Sequence, residues 1–320
     1  MNLKVSYYQE SEKDQVMNLI CREYNYDLKE YAPFFAKFYE HPFQNNAHKI
    51  TVSDIDADHK VVGFFALFYW PYQLNEKTYH AYKGVNAIVM PEYRGNGIFK
   101  KILDFVDENT KEFPIDFFIA TPLPAAYYGF KKNKWKALLD LHWYIKPNNL
   151  FSLLFPLNTS KINAILPELK KDSLNQIKNN IHQVDLPDFI NWRASFYKSK
   201  KYYLSYREGN NVVQFGGKIN IRKKIIREFI IGEVSTNHFD PVFLANGLKH
   251  LRKEIKRIKC ITFVSIAINP HNKIVLEAVE RNNFSKIKKI IHIVVKDLTN
   301  CSEILNEKKW ILYRADLDSW

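Results

Sequence analysis

The chain has 320 residues, of which 46% are hydrophobic and 15% aromatic, so it can form sizeable packed cores and is not a largely disordered protein. No apolar run reaches the roughly 18 residues of a membrane-spanning helix, and the N-terminal segment lacks the apolar core of a secretory signal. Three widely spaced cysteines suit a reducing compartment and offer no metal-ligand spacing, so we expect a cytoplasmic protein without a metal site.

Charge is distributed unevenly along the sequence. Residues 1–150 carry 18 basic and 18 acidic side chains, whereas residues 151–320 carry 29 and 16, so the net charge of +13 lies in the second half. This change in chemistry predicts two domains, 1–150 and 151–320. A basic half can attract phosphorylated metabolites, nucleic acid or an anionic membrane face, or it can be a lysine-rich solvated surface.

The first half predicts an α/β fold with a mixed sheet and helices on its faces. Apolar runs predict strands, and apolar residues at i, i+3 and i+4 predict helices. In chain order we expect a strand at 3–8, a helix that Asp14 caps and that runs to Tyr24, a helix or substrate-lining loop at 31–43, a β-hairpin of 50–56 and 61–70, a strand at 79–89, a helix at 98–113, a strand at 116–121, a helix at 123–133 and a strand at 136–145.

The second half predicts a similar order after a polar connection at 147–180. We expect strands at 204–207, 212–219 and 225–234, a helix that Asp240 caps and that runs to residue 258, a strand at 261–268, a helix at 271–282 and a strand at 290–295. This β-β-β-α-β-α-β order repeats the order of the first half. We therefore infer that the second domain is a degenerate copy of the first.

Two glycines one residue apart separate the strand predicted at 79–89 from the next helix, in the segment PEYRGNGIFK (91–100). Gly95 and Gly97 permit unusual backbone angles and leave no Cβ in the way of a ligand. The start of the helix offers N–H groups and a partial positive charge, which suit a pyrophosphate, and Arg94 and Lys100 add charge. A turn that binds nothing is the alternative. A Rossmann loop fits poorly, because Lys100 stands where its third glycine would be.

The same segment resembles motif A of the GNAT acyl-CoA N-acyltransferases, whose pattern is [Q/R]-x-x-G-x-[G/A]. Arg94 and Gly97 fit this pattern, and Phe99 replaces the last small residue. The segment LPAAYYGFKKNKW (123–135) resembles the second motif of the family at Ala126. It departs from that motif at four positions, where the family has Asn, Tyr, Gly and Phe and this sequence has Leu123, Phe130, Lys134 and Trp135.

The resemblance covers about residues 3–146 and implies a GNAT domain that binds acetyl-CoA or another acyl-CoA between its fourth and fifth strands. It implies direct transfer of the acyl group to an amine, without a metal. The pantetheine is expected to pair with the backbone of Ala87, Ile88 and Val89. The pyrophosphate is expected to accept hydrogen bonds from the loop, whose cofactor-binding residues would be Arg94, Gly95, Asn96, Gly97, Ile98, Phe99 and Lys100.

The departures bear on catalysis, because the family often uses the second-motif tyrosine to protonate the departing thiolate. Phe130 stands at that position and cannot donate a proton. Tyr127 and Tyr128 are the nearest replacements, and Tyr127, one helical turn away, shares the face of Phe130 best. His80 is a candidate general base, because histidine titrates near neutral pH. Core packing of the tyrosines and a surface position of the histidine are the alternatives.

Segments of the second half, FINWRASFYKSKKYYLSY and ILYRADLDSW, resemble the C-terminal halves of tandem GNAT-like proteins encoded with bacterial surface-polysaccharide enzymes. Arg193 and either Asp316 or Asp318 are candidate acceptor-binding residues, with internal ion pairs as the alternative. The segment GEVSTNHFDP before the helix at 240 has no glycine pair, so we expect no second CoA site.

The expected activity is N-acyl transfer, most simply N-acetyl transfer, to a small amine. An amino sugar linked to a nucleotide and destined for surface polysaccharide is our first choice of acceptor. One alternative is aminoacyl transfer from charged tRNA, as in the tandem GNAT-like peptidoglycan-bridge enzymes; nucleic acid is a partner only in that case. The other is a GNAT-like binding module that has lost catalysis.

Overall fold

The computed structural model describes residues 1–166, 180–184, 186–196, 200–222, 225–299 and 301–317. It has the predicted α/β architecture with mixed strand pairing. None of the helices in these ranges is both long and apolar enough to cross a membrane. The chain forms two compact units whose segments interleave: Met1–Leu138, Gln183–Tyr197 and His292–Asn306 in the first, and Leu139–His182, Lys198–Ile291 and Glu307–Trp320 in the second. The domains 1–150 and 151–320 stay predictions.

Helices and strands both occur in each half of the chain. In chain order they begin with β1 (Leu3–Tyr7), α1 (Lys13–Tyr24), α2 (Leu28–Tyr39), β2 (His48–Asp54), β3 (Lys60–Tyr69), β4 (Tyr72–Leu74), β5 (Lys77–Tyr79), β6 (Ala81–Val89), α3 (Ile98–Asn109), β7 (Phe117–Ala120), α4 (Pro124–Lys132) and β8 (Lys136–Pro147). They continue with α5 (Thr159–Ile165), β9 (His182–Gln183), α6 (Pro187–Phe196), β10 (Tyr202–Glu208), β11 (Asn211–Arg222), β12 (Ile226–Thr236), α7 (Pro241–Arg257), β13 (Phe263–Ile268), α8 (Lys273–Arg281) and β14 (Ser285–Asp297).

In the first unit the strands follow the order β1-β2-β3-β6-β7. Neighbours from β1 to β6 are antiparallel, so the predicted hairpin of β2 and β3 is confirmed, and β7 is parallel to β6. On its other side β7 pairs with residues 294–297 of β14. Helix α3 buries Ile98, Ile102 and Val106 at helical spacing, which is why this segment packs on the sheet as a helix.

In the second unit β8, β13, β12, β11 and β10 are neighbours in that order. Strand β12 is parallel to β13, and the other pairs are antiparallel. The core lies between one face of these strands and α7 and α8, with Phe215, Phe243, Leu251 and Ile266 among its members. The order from β10 to β14 is the predicted β-β-β-α-β-α-β, with a helix between parallel strands in both units. The order predicted for the second half is confirmed, whereas its origin as a degenerate copy of the first domain stays a prediction.

Several local predictions were wrong. Asp14 lies in the first turn of α1, and Glu12 takes the N-cap position. The three-residue strands β4 and β5 were missed, because they are too short to show a period. Helix α6 was also missed, although Phe189, Trp192 and Phe196 are buried at i, i+3 and i+7. Of the connection predicted at 147–180, residues 167–179 lie outside the described residues.

Candidate functional site

Strand β6 has a β-bulge at the place where its two ladders part. Its ladder with β7 ends at Gly84↔Ala120, whereas its ladder with β3 continues to Gly63↔Val89 after a shift of register. Asn86 lies at this shift of register and has a φ of 51°. Its side-chain amide donates to the Tyr39 hydroxyl on α2. No described strand pairs with the β7-facing edge of β6 beyond Gly84, so this edge can accept an extended ligand.

The backbone of β6 determines which groups face this open edge. The Met90 amide donates to the Val62 carbonyl of the β3 side at 2.9 Å. Because backbone groups alternate along a strand, Ile88 also faces β3, whereas Val89 faces the open edge. Ala87 follows the bulge directly. Of the three residues predicted to pair with pantetheine, Val89 is therefore the best oriented.

The loop between β6 and α3 has the geometry that its glycines predicted. Gly95 and Gly97 have φ values of 85° and 70°, in the region that favours glycine. A Cβ added to either residue would meet no heavy atom within 4 Å. Gly97 occupies the N-cap position of α3, and no described side chain caps this helix. The first-turn N–H groups of α3 therefore border open space, as an anion site requires.

The two predicted cations of the loop already have carboxylate partners. Arg94 contacts Glu23 at 2.8 Å and donates from Nε to the Val89 carbonyl at 3.0 Å. Lys100 contacts Asp104, one turn along α3, at 2.5 Å. The side chains of Arg94 and Lys100 are 52% and 65% exposed, so each ion pair contributes at most about 1 kcal/mol. A phosphate can therefore exchange with either carboxylate at small cost.

Phe130, at the position of the family's tyrosine, lies in the core. It is only 2% exposed and packs against Phe65, Phe99 and Trp135, with ring centroids 6.2, 4.9 and 4.7 Å away. The loss of the tyrosine hydroxyl is therefore accompanied by an apolar environment that would not accommodate one.

A tyrosine restored at this position is expected to destabilise the protein. Phe130→Tyr should lower the free energy of unfolding by about 1–3 kcal/mol, because the added hydroxyl would be buried without a hydrogen-bond partner. Urea denaturation measures this change. Phe151→Tyr is the matched control, because Phe151 is 70% exposed and its hydroxyl would reach water. Unchanged stability with faster turnover in Phe130→Tyr would contradict the core assignment.

Tyr127 and Tyr128 lie in different surroundings on α4. Tyr127 is half-buried and stacks on His292 of β14, with ring centroids 4.4 Å apart. Tyr128 is 69% exposed. His292 lies two residues before Val294, which pairs with Ala120 at the end of β7, so it sits where the chain leaves β7 for α4. Sequence reasoning missed His292, because no nearby residues mark it as part of a site.

His80 lies just before β6, at the end of the strand that is remote from the glycine loop. Its Nδ1 is 3.3 Å from the Tyr69 hydroxyl, and its amide donates to Asp116 at 2.6 Å. Nine residues separate it from Val89, which is about 30 Å along an extended strand. The structure therefore does not bring His80 near the loop or near α4, and its role as a base stays a prediction.

The two candidate acceptor residues belong to different units. Arg193 on α6 is 7% exposed, donates to Gln183 at 3.0 Å and lies 5.0 Å from the Trp70 ring centre. Asp316 accepts a hydrogen bond from the Tyr313 amide at 2.6 Å. Each therefore has contacts inside its own unit, and its acceptor-binding role stays a prediction. Asp318 lies outside the described residues.

The corresponding helix start of the second unit is already capped. The Asp240 carboxylate accepts from the Phe243 amide at 2.7 Å, as the sequence predicted for the start of α7. A carboxylate at this place repels a phosphate. The expected absence of a second CoA site stays a prediction.

Comparison with known proteins supports the interpretation of the first unit. A family model described as an acetyltransferase (GNAT) domain matches residues 4–131. No curated protein matches the chain. Similar solved structures include a GCN5-related N-acetyltransferase from Anabaena variabilis, with a TM-score of 0.59, 12% identity and coverage of 92% of this chain and 73% of that one. A GCN5-related N-acetyltransferase from Kribbella flavida has a TM-score of 0.56, 11% identity and coverage of 93% and 72%.

A third similar structure is the N-myristoyltransferase of Saccharomyces cerevisiae with bound myristoyl-CoA, with a TM-score of 0.53, 12% identity and coverage of 92% of this chain and 82% of that one. At these identities the structural likeness shows the fold, and the family model adds the GNAT domain. The predicted α/β fold is confirmed, and residues 4–131 match the GNAT acetyltransferase domain.

Proposed function

We propose that the protein is an acyl-CoA-dependent N-acyltransferase whose acyl-CoA lies along the open edge of β6 and places its pyrophosphate at the glycine loop. The observation that carries the proposal is the loop itself. Gly95 and Gly97 both have positive φ, and open space lies before the uncapped first turn of α3. These features together form an anion site built from backbone amides.

The chain's own residues would bind and orient the reactants. The backbone of Val89 faces the open edge and can hydrogen-bond an extended pantetheine. The amides of residues 95–99 can hold the diphosphate, whereas the Arg94 amide already donates to the Pro91 carbonyl at 3.2 Å. Bound acyl-CoA supplies the activated thioester carbonyl. Since the amine then attacks directly, the protein contributes mainly orientation and proton transfer.

Tyr127 and His292 are the groups we propose for proton transfer. Their rings stack at 4.4 Å beside the end of β7, and both side chains carry exchangeable protons. Tyr127→Phe keeps the stacked ring and removes only the hydroxyl, so kcat should fall by about 10–100-fold, the low end of general acid–base effects. Steady-state kinetics with a saturating acyl-CoA measures this effect.

Tyr128→Phe is the matched comparison for Tyr127→Phe, because its side chain is 69% exposed and one position along the same helix. It should leave kcat within about twofold, a change of less than 0.5 kcal/mol. Equal losses in the two variants would contradict the assignment, as would a larger loss in Tyr128→Phe.

For the acceptor we propose a small amine, first an amino sugar linked to a nucleotide and used for surface polysaccharide. The excess of basic side chains in residues 151–320 supports an acceptor that carries phosphate. Arg193 and Asp316 remain the proposed acceptor-binding residues. Because all three cysteines are free thiols, the proposed site of action is the cytoplasm, a reducing compartment.

A thermal-shift panel tests the cofactor. Acetyl-CoA should raise the melting temperature, since a ligand at 100 times its Kd adds about 2.7 kcal/mol to the stability of the native state. Myristoyl-CoA belongs in the panel because the yeast N-myristoyltransferase binds it, and UDP- and dTDP-amino sugars test the acceptor. Adenosine 3′,5′-bisphosphate, which lacks the pyrophosphate and pantetheine, is the control. If no CoA species shifts the protein at saturation, the cofactor assignment is wrong.

A further inference from the structure

The segment after β8 exposes an unusual concentration of large apolar side chains. We name residues 150–157 the apolar tip. Five of its eight residues are between 42% and 77% exposed, namely Leu150, Phe151, Leu153, Leu154 and Leu157. Single exposed apolar residues are ordinary on a protein surface, whereas a contiguous group marks an interaction site.

Hydrogen bonds with residues 259–262 hold the apolar tip in place. Asn148 and Asn149 donate from their side chains to the carbonyls of Ile261 and Lys259 at 3.0 and 2.5 Å. The hydroxyls of Ser152 and Thr262 lie 2.6 Å apart. Ser152 is fully buried, so the tip turns its polar residue inward and its leucines outward. The exposure of the leucines is therefore part of an anchored structure.

Four backbone amides of the apolar tip have partners within the tip or on Asn149 next to it. The amide of Phe151 donates to the Asn149 side chain at 3.1 Å, and those of Ser152, Leu154 and Phe155 donate to carbonyls three residues earlier at 3.0–3.1 Å. In addition, Arg227 donates to the Phe155 carbonyl at 2.6 Å. A segment that enters lipid needs such internal partners, because the hydrocarbon region offers none.

Positive charge surrounds the base of the apolar tip. Lys259, whose carbonyl anchors Asn149, has its ammonium 5.3 Å from the ring centre of Phe155. The last turns of α7, directly before it, expose Lys253 and Lys256. The surface of an anionic bilayer has phosphates on the outside and acyl chains beneath them. Apolar side chains at a tip suit the acyl chains, and lysines at its base suit the phosphates.

We propose that the protein binds the surface of an anionic membrane through the apolar tip, with Leu150, Phe151 and Leu154 in the interfacial region and the lysines around Lys259 on the lipid phosphates. Five side chains cover too little area to form alone the about 800 Å² per partner of a stable protein interface. A bilayer needs no such matching surface. This inference is independent of the acyl-transfer site, since every contact that supports it lies in the second unit.

Co-sedimentation of the full chain with vesicles tests the proposal. The chain should bind vesicles of phosphatidylcholine mixed with phosphatidylglycerol. Its binding to vesicles of phosphatidylcholine alone should be at least about tenfold weaker. The triple variant Leu150→Asn, Phe151→Asn and Leu154→Asn should lose at least about tenfold in partitioning. The control, Val242→Asn with Leu298→Asn, replaces apolar residues that are 47% and 42% exposed outside the tip, and it should bind as the wild type does.

Two further measurements test whether the tip itself enters the bilayer and whether the lysines contribute to binding. Phe151→Trp should show a blue-shifted emission with anionic vesicles and quenching by brominated lipid, which places the tip itself in the bilayer. Lys256→Gln with Lys259→Gln should weaken binding and reduce its salt dependence. Failure of the wild type to bind, equal binding of the triple variant, or a dimer in vesicle-free solution that only the triple variant loses would each overturn the proposal.

Discussion

Gly97→Val is expected to weaken the binding of acetyl-CoA by at least about tenfold, or 1.4 kcal/mol. The wild-type residue has a φ of 70°, and the space next to its Cα is open. A valine there would fill the space that we assign to the diphosphate, and it would strain the loop, because β-branched residues rarely adopt this conformation. Isothermal titration calorimetry with acetyl-CoA measures the change.

Gly209→Val is the matched control for this experiment. Gly209 also has a positive φ, 55°, and an added Cβ there would likewise meet no atom within 4 Å. Both variants should therefore carry a similar cost in backbone strain, on the order of 1–3 kcal/mol. Only Gly97→Val should lose affinity for acetyl-CoA. A folded Gly97→Val protein with wild-type affinity would refute the proposed loop geometry.

The second large effect is a loss of stability in acid that depends on His48. This side chain is 4% exposed, lies among the rings of Tyr7, Tyr82 and Phe113, and has no hydrogen-bond partner for Nε2 among the described residues. Burial lowers the pKa of His48 to about 4 from its usual 6.5. The folded state therefore resists protonation at pH values where the unfolded chain accepts a proton.

The direction of the pH effect follows from this shift. Above pH 6.5 His48 is neutral in both states, so its contribution is fully retained. As the pH falls from 6.5 to 4 the unfolded state gains the proton first, and the protein loses about 3 kcal/mol at 1.36 kcal/mol per pKa unit. Urea denaturation at a series of pH values measures the loss, and it should disappear in His48→Phe.

Carboxylates also titrate toward the acid end of this range. The role of His48 is therefore tested by comparing the pH dependence of stability between the variants and the wild type. His59→Asn is the control, since His59 is exposed and asparagine tolerates its φ of 55°. It should retain the wild-type dependence of stability on pH. If His48→Phe and the wild type lost stability in parallel between pH 6.5 and 4, the assignment to His48 would be wrong.

The sequence was most informative where the chemistry is local. Gly95 and Gly97 lie in one turn with only Asn96 between them, and both have the positive φ that glycine adopts most easily, so their pattern predicted their geometry. The helical period of α3 and the Asp240 cap of α7 were equally local. The replacement of the family's tyrosine by Phe130 was also visible in the sequence. The burial of Phe130 among three aromatic rings, by contrast, is seen only in the folded structure.

The features that sequence reasoning missed depend on distant contacts. Asn86 lies in a run, GVNAIV, that reads as a continuous strand, and its bulge depends on the register with β3 and on the hydroxyl of Tyr39. His292 reaches Tyr127 only because β14 pairs with β7. Helix α6 was not predicted, and Arg193, a candidate binding residue, falls on its buried face.

The bulge at Asn86 has a further consequence for specificity. Asn86 and Ala87 of β6 lie opposite the single residue Phe65 of β3, so the bulge is a property of the main chain. If acyl-CoA lies along this edge as we propose, substitutions of the side chains beside it should change which acyl groups fit, while the bulge itself stays in place.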